Sequence, residues 1–177
     1  MKSRVVVGKG RVAYLAGVGS PQGNDAVGWR VVDHLESRLP SVFAAVRIGQ
    51  PLRLLPLLEG CYRMWIVDAC RAGQAVGTIN RFEWPDARVD RGSCVSGHGI
   101  GVAEVLNLAE MLGAMPVSVV LYSLEIGPES IEPEEGLSAD VAAAVHRLSD
   151  RLLEELSGYE RLGPAKAYMR GAATVMA

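Results

Sequence analysis

The chain has 177 residues, 49% of them hydrophobic and 21% charged, with a formal net charge of -2. That size reads as one domain spanning 1–177, long enough to bury roughly two thirds of the surface its unfolded form would expose. A charge so close to neutral gives no electrostatic reason to expect nucleic acid as a partner, and no stretch approaches the ~20 apolar residues of a membrane span.

Residues 1–10 form a basic lead-in whose apolar residues 5–7 are too few for a signal-peptide core. Residues 12–17 read as a first strand, an apolar run of the kind buried on both faces of a parallel sheet. Gly17, Gly19, Gly23 and Gly28 then mark a strand-to-helix turn, and Asp25 sits where that turn becomes helix. Val27, Val31, Leu35 and Leu39 recur at four-residue steps with Arg30, Asp33 and Glu36 between them, which predicts an amphipathic helix ending at Pro40. Residues 42–48 are a second strand, followed by a short helix through Leu52, Leu55 and Leu58 that stops at Gly60. Residues 63–67 are a third strand, delivering Asp68 at its carboxyl end. A fourth strand at 77–82 follows so closely that a hairpin-like antiparallel edge is expected, and 84–92 is a surface loop.

Residues 93–99 lead into a helix with Val102, Val105, Leu106, Ala109 and Leu112 on one face, placing His98 just before it. Residues 117–124 are the fifth strand, and 125–136 a loop with five glutamates. The last helix, 138–156, has Ser138 as its N-cap and Val141, Val145, Leu148, Leu152 and Leu156 on its apolar side. The core thus spans about 11–157, with 158–177 as a loosely held tail. Alternating strands and helices predict an α/β three-layer sandwich, with about five mostly parallel strands and helices on both faces.

Three polar residues fall after strands on one expected edge of that sheet: Asp25, Asp68 and His98. Two carboxylates and an imidazole make a mixed oxygen and nitrogen set with open positions, suited to a divalent metal. Each has a plainer alternative. Asp25 could cap a helix and Asp68 could cap a turn; His98, between Gly97 and Gly99, has few apolar neighbours in sequence for a core histidine. His34 and His146 are assigned to solvated helix faces, and Glu129, Glu132, Glu134 and Glu135 to a solvated loop lacking calcium-loop spacing. Cys61, Cys70 and Cys94 are odd in number without CxxC spacing, so they read as reduced core thiols of a cytoplasmic protein.

Four blocks, in order, resemble the hydrogenase maturation endopeptidases, which trim the C-terminal extension from the large subunit of nickel-iron hydrogenases. They are Gly17-Val18-Gly19 leading to Asp25-Ala26-Val27-Gly28; Ile66-Val67-Asp68-Ala69; Ser96-Gly97-His98-Gly99-Ile100-Gly101; and Gly127-Pro128-Glu129 through Gly136-Leu137-Ser138. The resemblance implies that Asp25, Asp68 and His98 are the metal-contacting and catalytic positions. It also implies that the metal is nickel already installed in the precursor large subunit, the expected partner, so that the free enzyme holds none. Nickel would then act as a Lewis acid, and no GxSxG elbow offers a covalent route.

The chain departs from the family pattern at Ser20, at Asn24 where an acid is usual, and at Gly49-Gln50-Pro51, which marks a divergent member. Those departures motivate one alternative, a catalytically silent scaffold or chaperone for hydrogenase assembly. A second, a nucleotide-binding module suggested by Gly17, Gly19 and Gly23, fails on the glycine spacing and on Gln50, where ribose recognition wants an acid.

Overall fold

A computed structural model describes residues 13–86, 100–128 and 136–175, with side chains described as far as Tyr159. Five strands, β1 (Ala13–Val18), β2 (Phe43–Ile48), β3 (Arg63–Cys70), β4 (Ile79–Glu83) and β5 (Ser118–Glu125), form one sheet in the order β2-β1-β3-β5-β4. Four helices are described: α1 (Val27–Leu35), α2 (Leu55–Glu59), α3 (Val102–Met111) and α4 (Ala139–Val175). Short 3-10 turns at Gly23–Ala26 and Pro51–Leu54 lead into α1 and α2.

The central strands are apolar on both faces because both are covered. Ala13, Leu15, Trp65, Val67, Val120 and Tyr122 pack with Val31 and Leu35 of α1 and with Val145, Leu148 and Leu152 of α4. The alternate residues Tyr14, Ala16, Met64, Ile66, Val119 and Leu121 pack with Leu57 and Leu58 of α2 and with Val105 and Leu106 of α3. Two cores therefore sandwich one sheet, and each fully buried leucine contributes about 1.5–3 kcal/mol.

The expected hairpin between the third and fourth strands does not form. β5 pairs in parallel along the whole of β3, from Arg63↔Ser118 to Cys70↔Glu125, and β4 pairs antiparallel on the far side of β5. The reason is burial: every residue of β5 after Ser118 is buried, whereas β4 buries only Phe82 and suits an edge. β3 also runs two residues past Asp68, and Glu125, expected in a loop, ends β5. α1 stops at Leu35, with Arg38 and Leu39 N–H groups closing a turn onto the Leu35 carbonyl. The helix expected to end near Leu156 continues to Val175.

His34 and His146 are not simply solvated. His34 is half-buried and stacks on the exposed His146 with ring centroids 4.7 Å apart, clasping α1 to α4 beside a shallow cleft lined by Arg38, Ser149 and Asp150. Cys70 is buried and Cys61 half-buried, with burial pushing the Cys61 thiol up to about 12; Cys94 lies outside the described residues. Among the described residues, no helix is long and apolar enough to cross a membrane.

Candidate active site at the carboxyl edge of the sheet

The connections fix where a ligand belongs. β1 passes through α1 to β2 on one side, and β2 passes through α2 to β3 on the other, so the boundary between β1 and β3 is the topological switch point. Loops diverge there and leave a crevice outside the carboxyl ends of the strands.

Glycines let the chain turn tightly over that crevice. Gly19 has φ 142 and donates its N–H to the Ile48 carbonyl at 3.0 Å, which ties the turn to the tip of β2. A Cβ on Gly28 would lie 2.6 Å from the Val18 nitrogen and 2.7 Å from the Val67 oxygen, and one on Gly17 would collide with the Gly28 carbonyl. Bare backbone at these positions lets the first turn of α1 rest on the tips of β1 and β3 together. The 3-10 turn just before it, which carries Asp25, touches β3.

Asp25 is half-buried, and neither its turn nor α1 makes a side-chain capping bond, so the plain helix-cap role is not realised. Asp68 is half-buried on β3. Strand alternation puts it on the face of Met64 and Ile66, beside Ser123 of β5 in the parallel register. The two acids therefore flank the switch point, one on the turn after β1 and one near the end of β3. His98 lies outside the described residues, although α3, which it precedes in sequence, packs Val105 and Leu106 onto the sheet face that Asp68 shares. Among the described residues, no group of three or more His, Cys, Asp or Glu stands close enough to hold a metal ion. Glu129, Glu132, Glu134 and Glu135 also lie outside them.

Two residues at this edge have structural roles that the sequence reading did not assign them. Glu125 is 1% exposed. Its Oε2 accepts N–H groups from Ala72 at 2.7 Å and Gln74 at 3.4 Å, and its Oε1 accepts that of Gly127 at 3.2 Å. It thereby organises the turn leaving β3. The signal was available, since an acid directly after an apolar strand is the pattern that singled out Asp68. Asn24 accepts the Ser138 N–H at the start of α4 through its Oδ1.

An open, mostly parallel sheet with a crevice at its switch point is the α/β architecture that places ligands outside the carboxyl ends of its strands. The chain belongs to the hydrogenase maturation protease family (HycI), whose sequence model matches residues 31–155 and so begins after Asp25. It is 28% identical over 145 residues to the hydrogenase 2 maturation protease of Escherichia coli K12, a match covering 78% of this chain and 87% of that one. The solved structure of the E. coli hydrogenase maturating endopeptidase HybD superposes with TM-score 0.69 at 27% identity, covering 83% of this chain and 93% of that one. A hydrogenase 2 maturation peptidase from a Thaumarchaeota archaeon gives TM-score 0.60 at 29% identity, covering 82% and 97% respectively. The protein is therefore a peptidase of hydrogenase maturation, with the α/β fold expected from its sequence.

Proposed function

We propose that this peptidase removes the C-terminal extension of a nickel-iron hydrogenase large-subunit precursor once nickel has been installed, and that Asp25, Asp68 and His98 grip the precursor's own nickel. The observation that carries this reading is the placement of Asp25 and Asp68 on either side of the β1/β3 switch point. Two carboxylates and an imidazole are donors suited to a divalent first-row metal. Nickel arrives as part of the substrate, so the free enzyme needs no resident metal; once bound, it supplies Lewis acidity at the scissile carbonyl or an attacking water.

The chain's own groups set the geometry. Asp25 rides on a turn held by backbone contacts to β2 and β3, and Asp68 on a strand paired on both sides, so both side chains are carried by well-anchored elements. Three cysteines without a CxxC pair and a formal net charge of -2 suit a cytoplasmic enzyme with a protein partner and no nucleic-acid role.

The test is incubation with nickel-loaded and nickel-free precursor, with loss of the C-terminal peptide followed by mass spectrometry. Only the loaded precursor is expected to be cut, and Asp25→Asn, Asp68→Asn and His98→Ala are each expected to abolish cutting while the fold survives. Equal cleavage of both precursors would sink metal recognition. Undiminished cleavage in any of the three variants would remove that residue from the site.

A further inference from the structure

We propose that the Ser123 hydroxyl is a positioning group for Asp68, donating a hydrogen bond to its carboxylate when Asp68 grips the metal of the bound precursor; this rests on the function proposed above. Ser123 is 1% exposed, and among the described residues its Oγ has no hydrogen-bond partner. Burying a hydroxyl without a partner costs about 1–3 kcal/mol. The two residues before it on the same face, Val119 and Leu121, are apolar and pack into the core as strand alternation requires. A serine kept there unsatisfied points to a partner that takes up its bond in another state of the site.

The register identifies that partner. Asp68 and Ser123 stand opposite each other in the parallel β3–β5 pair, on strands ~4.8 Å apart, with side chains on the same face. On the other flank, Asn80 of β4 donates its amide to Gln74 Oε1 at 2.8 Å. A carboxylate has about four acceptor positions, so Asp68 has room for the serine proton beside its other interactions. Carboxylates that bind metals are oriented by such outer hydrogen bonds, whose loss typically costs about 10–100-fold in metal affinity or activity.

The test turns on two effects of opposite sign. Ser123→Ala removes a hydroxyl that has no partner among the described residues, so its urea midpoint is expected to stay the same or rise. Its kcat on nickel-loaded precursor is expected to fall about tenfold or more with KM within about twofold, and Ser123→Thr, which keeps the hydroxyl, is expected to recover most of the rate. Calorimetric titration of the full chain with Ni2+ alone supplies a second readout, in which Ser123→Ala is expected to weaken binding about tenfold.

Wild-type kcat and Ni2+ affinity in Ser123→Ala would overturn the inference and leave the proposed function standing. A loss of stability matching the loss of rate would also overturn it, because the hydroxyl would then be structural. Should the wild type fail to cut the precursor, the proposed function falls, and the Ni2+ titration decides the role of Ser123: weakened binding supports it, whereas unchanged or absent binding refutes it.

Discussion

Asn24 Oδ1 accepts the backbone N–H of Ser138 at 2.8 Å, so the turn that carries Asp25 is tied to the residue just before α4. The Ser138 carbonyl in turn accepts the Ala142 N–H at 2.8 Å, as the first bond of the helix. Position 24 thus acts as a strut, and the side-chain amide oxygen is the acceptor the strut needs. Asn24→Asp is expected to hold stability within about 0.5 kcal/mol, since a carboxylate accepts the same N–H and favours a helix N-terminus. Asn24→Ala is expected to lose about 1 kcal/mol and to slow precursor cleavage. Urea unfolding and a cleavage assay on the two variants check this pair of outcomes.

Gly28→Ala is expected to cost about 1–3 kcal/mol, because the added Cβ meets backbone on both sides, the Val18 nitrogen and the Val67 oxygen, and neither can swing away. It is also expected to depress cleavage beyond what the stability loss explains, since α1 can yield only by moving the turn that carries Asp25. Gly158→Ala is the contrast: nothing lies within 4 Å of its Cβ, and it sits inside α4, so it is expected to stabilise by about 0.5–1 kcal/mol. Thermal and urea melts of the two alanine variants separate the cases.

Removal of the Glu125 carboxylate leaves the N–H groups of Ala72, Gln74 and Gly127 without their acceptor at a buried site. Glu125→Ala is expected to destabilise by about 3 kcal/mol or more. Hydrogen exchange is expected to speed up at Ala72, Gln74 and Gly127 before the rest of the sheet, a local signature that a general loss of stability would not produce.

Glu155 of α4 is expected to impose a pH dependence on the packing of that helix against the sheet. It accepts hydrogen bonds from Trp65 Nε1 at 2.9 Å, Tyr122 Oη at 2.6 Å and Arg81 at 3.1 Å. Burial alone would raise its carboxyl, but the bonds from Arg81, Trp65 and Tyr122 outweigh that and hold it below the ordinary 4.5. A carboxyl lowered by folding contributes stability that is fully present above pH 4.5 and is lost as pH falls through the folded value. Burial, followed by the bond to Glu155, pushes the Tyr122 phenol from 10.0 up to about 12, so its contribution is present below pH 10.0 and fades toward pH 12. The urea midpoint of Glu155→Gln is expected to lie below wild type at pH 7 by about 2 kcal/mol, with the gap narrowing on acidification below pH 4.5.

Much of the fold was legible in local pattern. The strands ending near Gly17, Ile48, Val67 and Leu124 were visible as apolar runs, α1 as apolar residues at four-residue steps and α3 as apolar residues at helical i, i+3 and i+4 spacing, because residues of one element share a face at a period that the sequence itself records. Asp68 stood out as an acid at the end of such a run, and Asp25 as the acid where a glycine-marked turn becomes helix. What only the tertiary structure decided was which elements meet: β5 rather than β4 beside β3, Asn24 reaching Ser138 across 114 positions, His34 stacked on His146, and Ser123 buried beside Asp68. Periodicity says which way a side chain faces. Its neighbour is chosen by burial summed over the whole sheet, and that sum is not written in any one stretch of the chain.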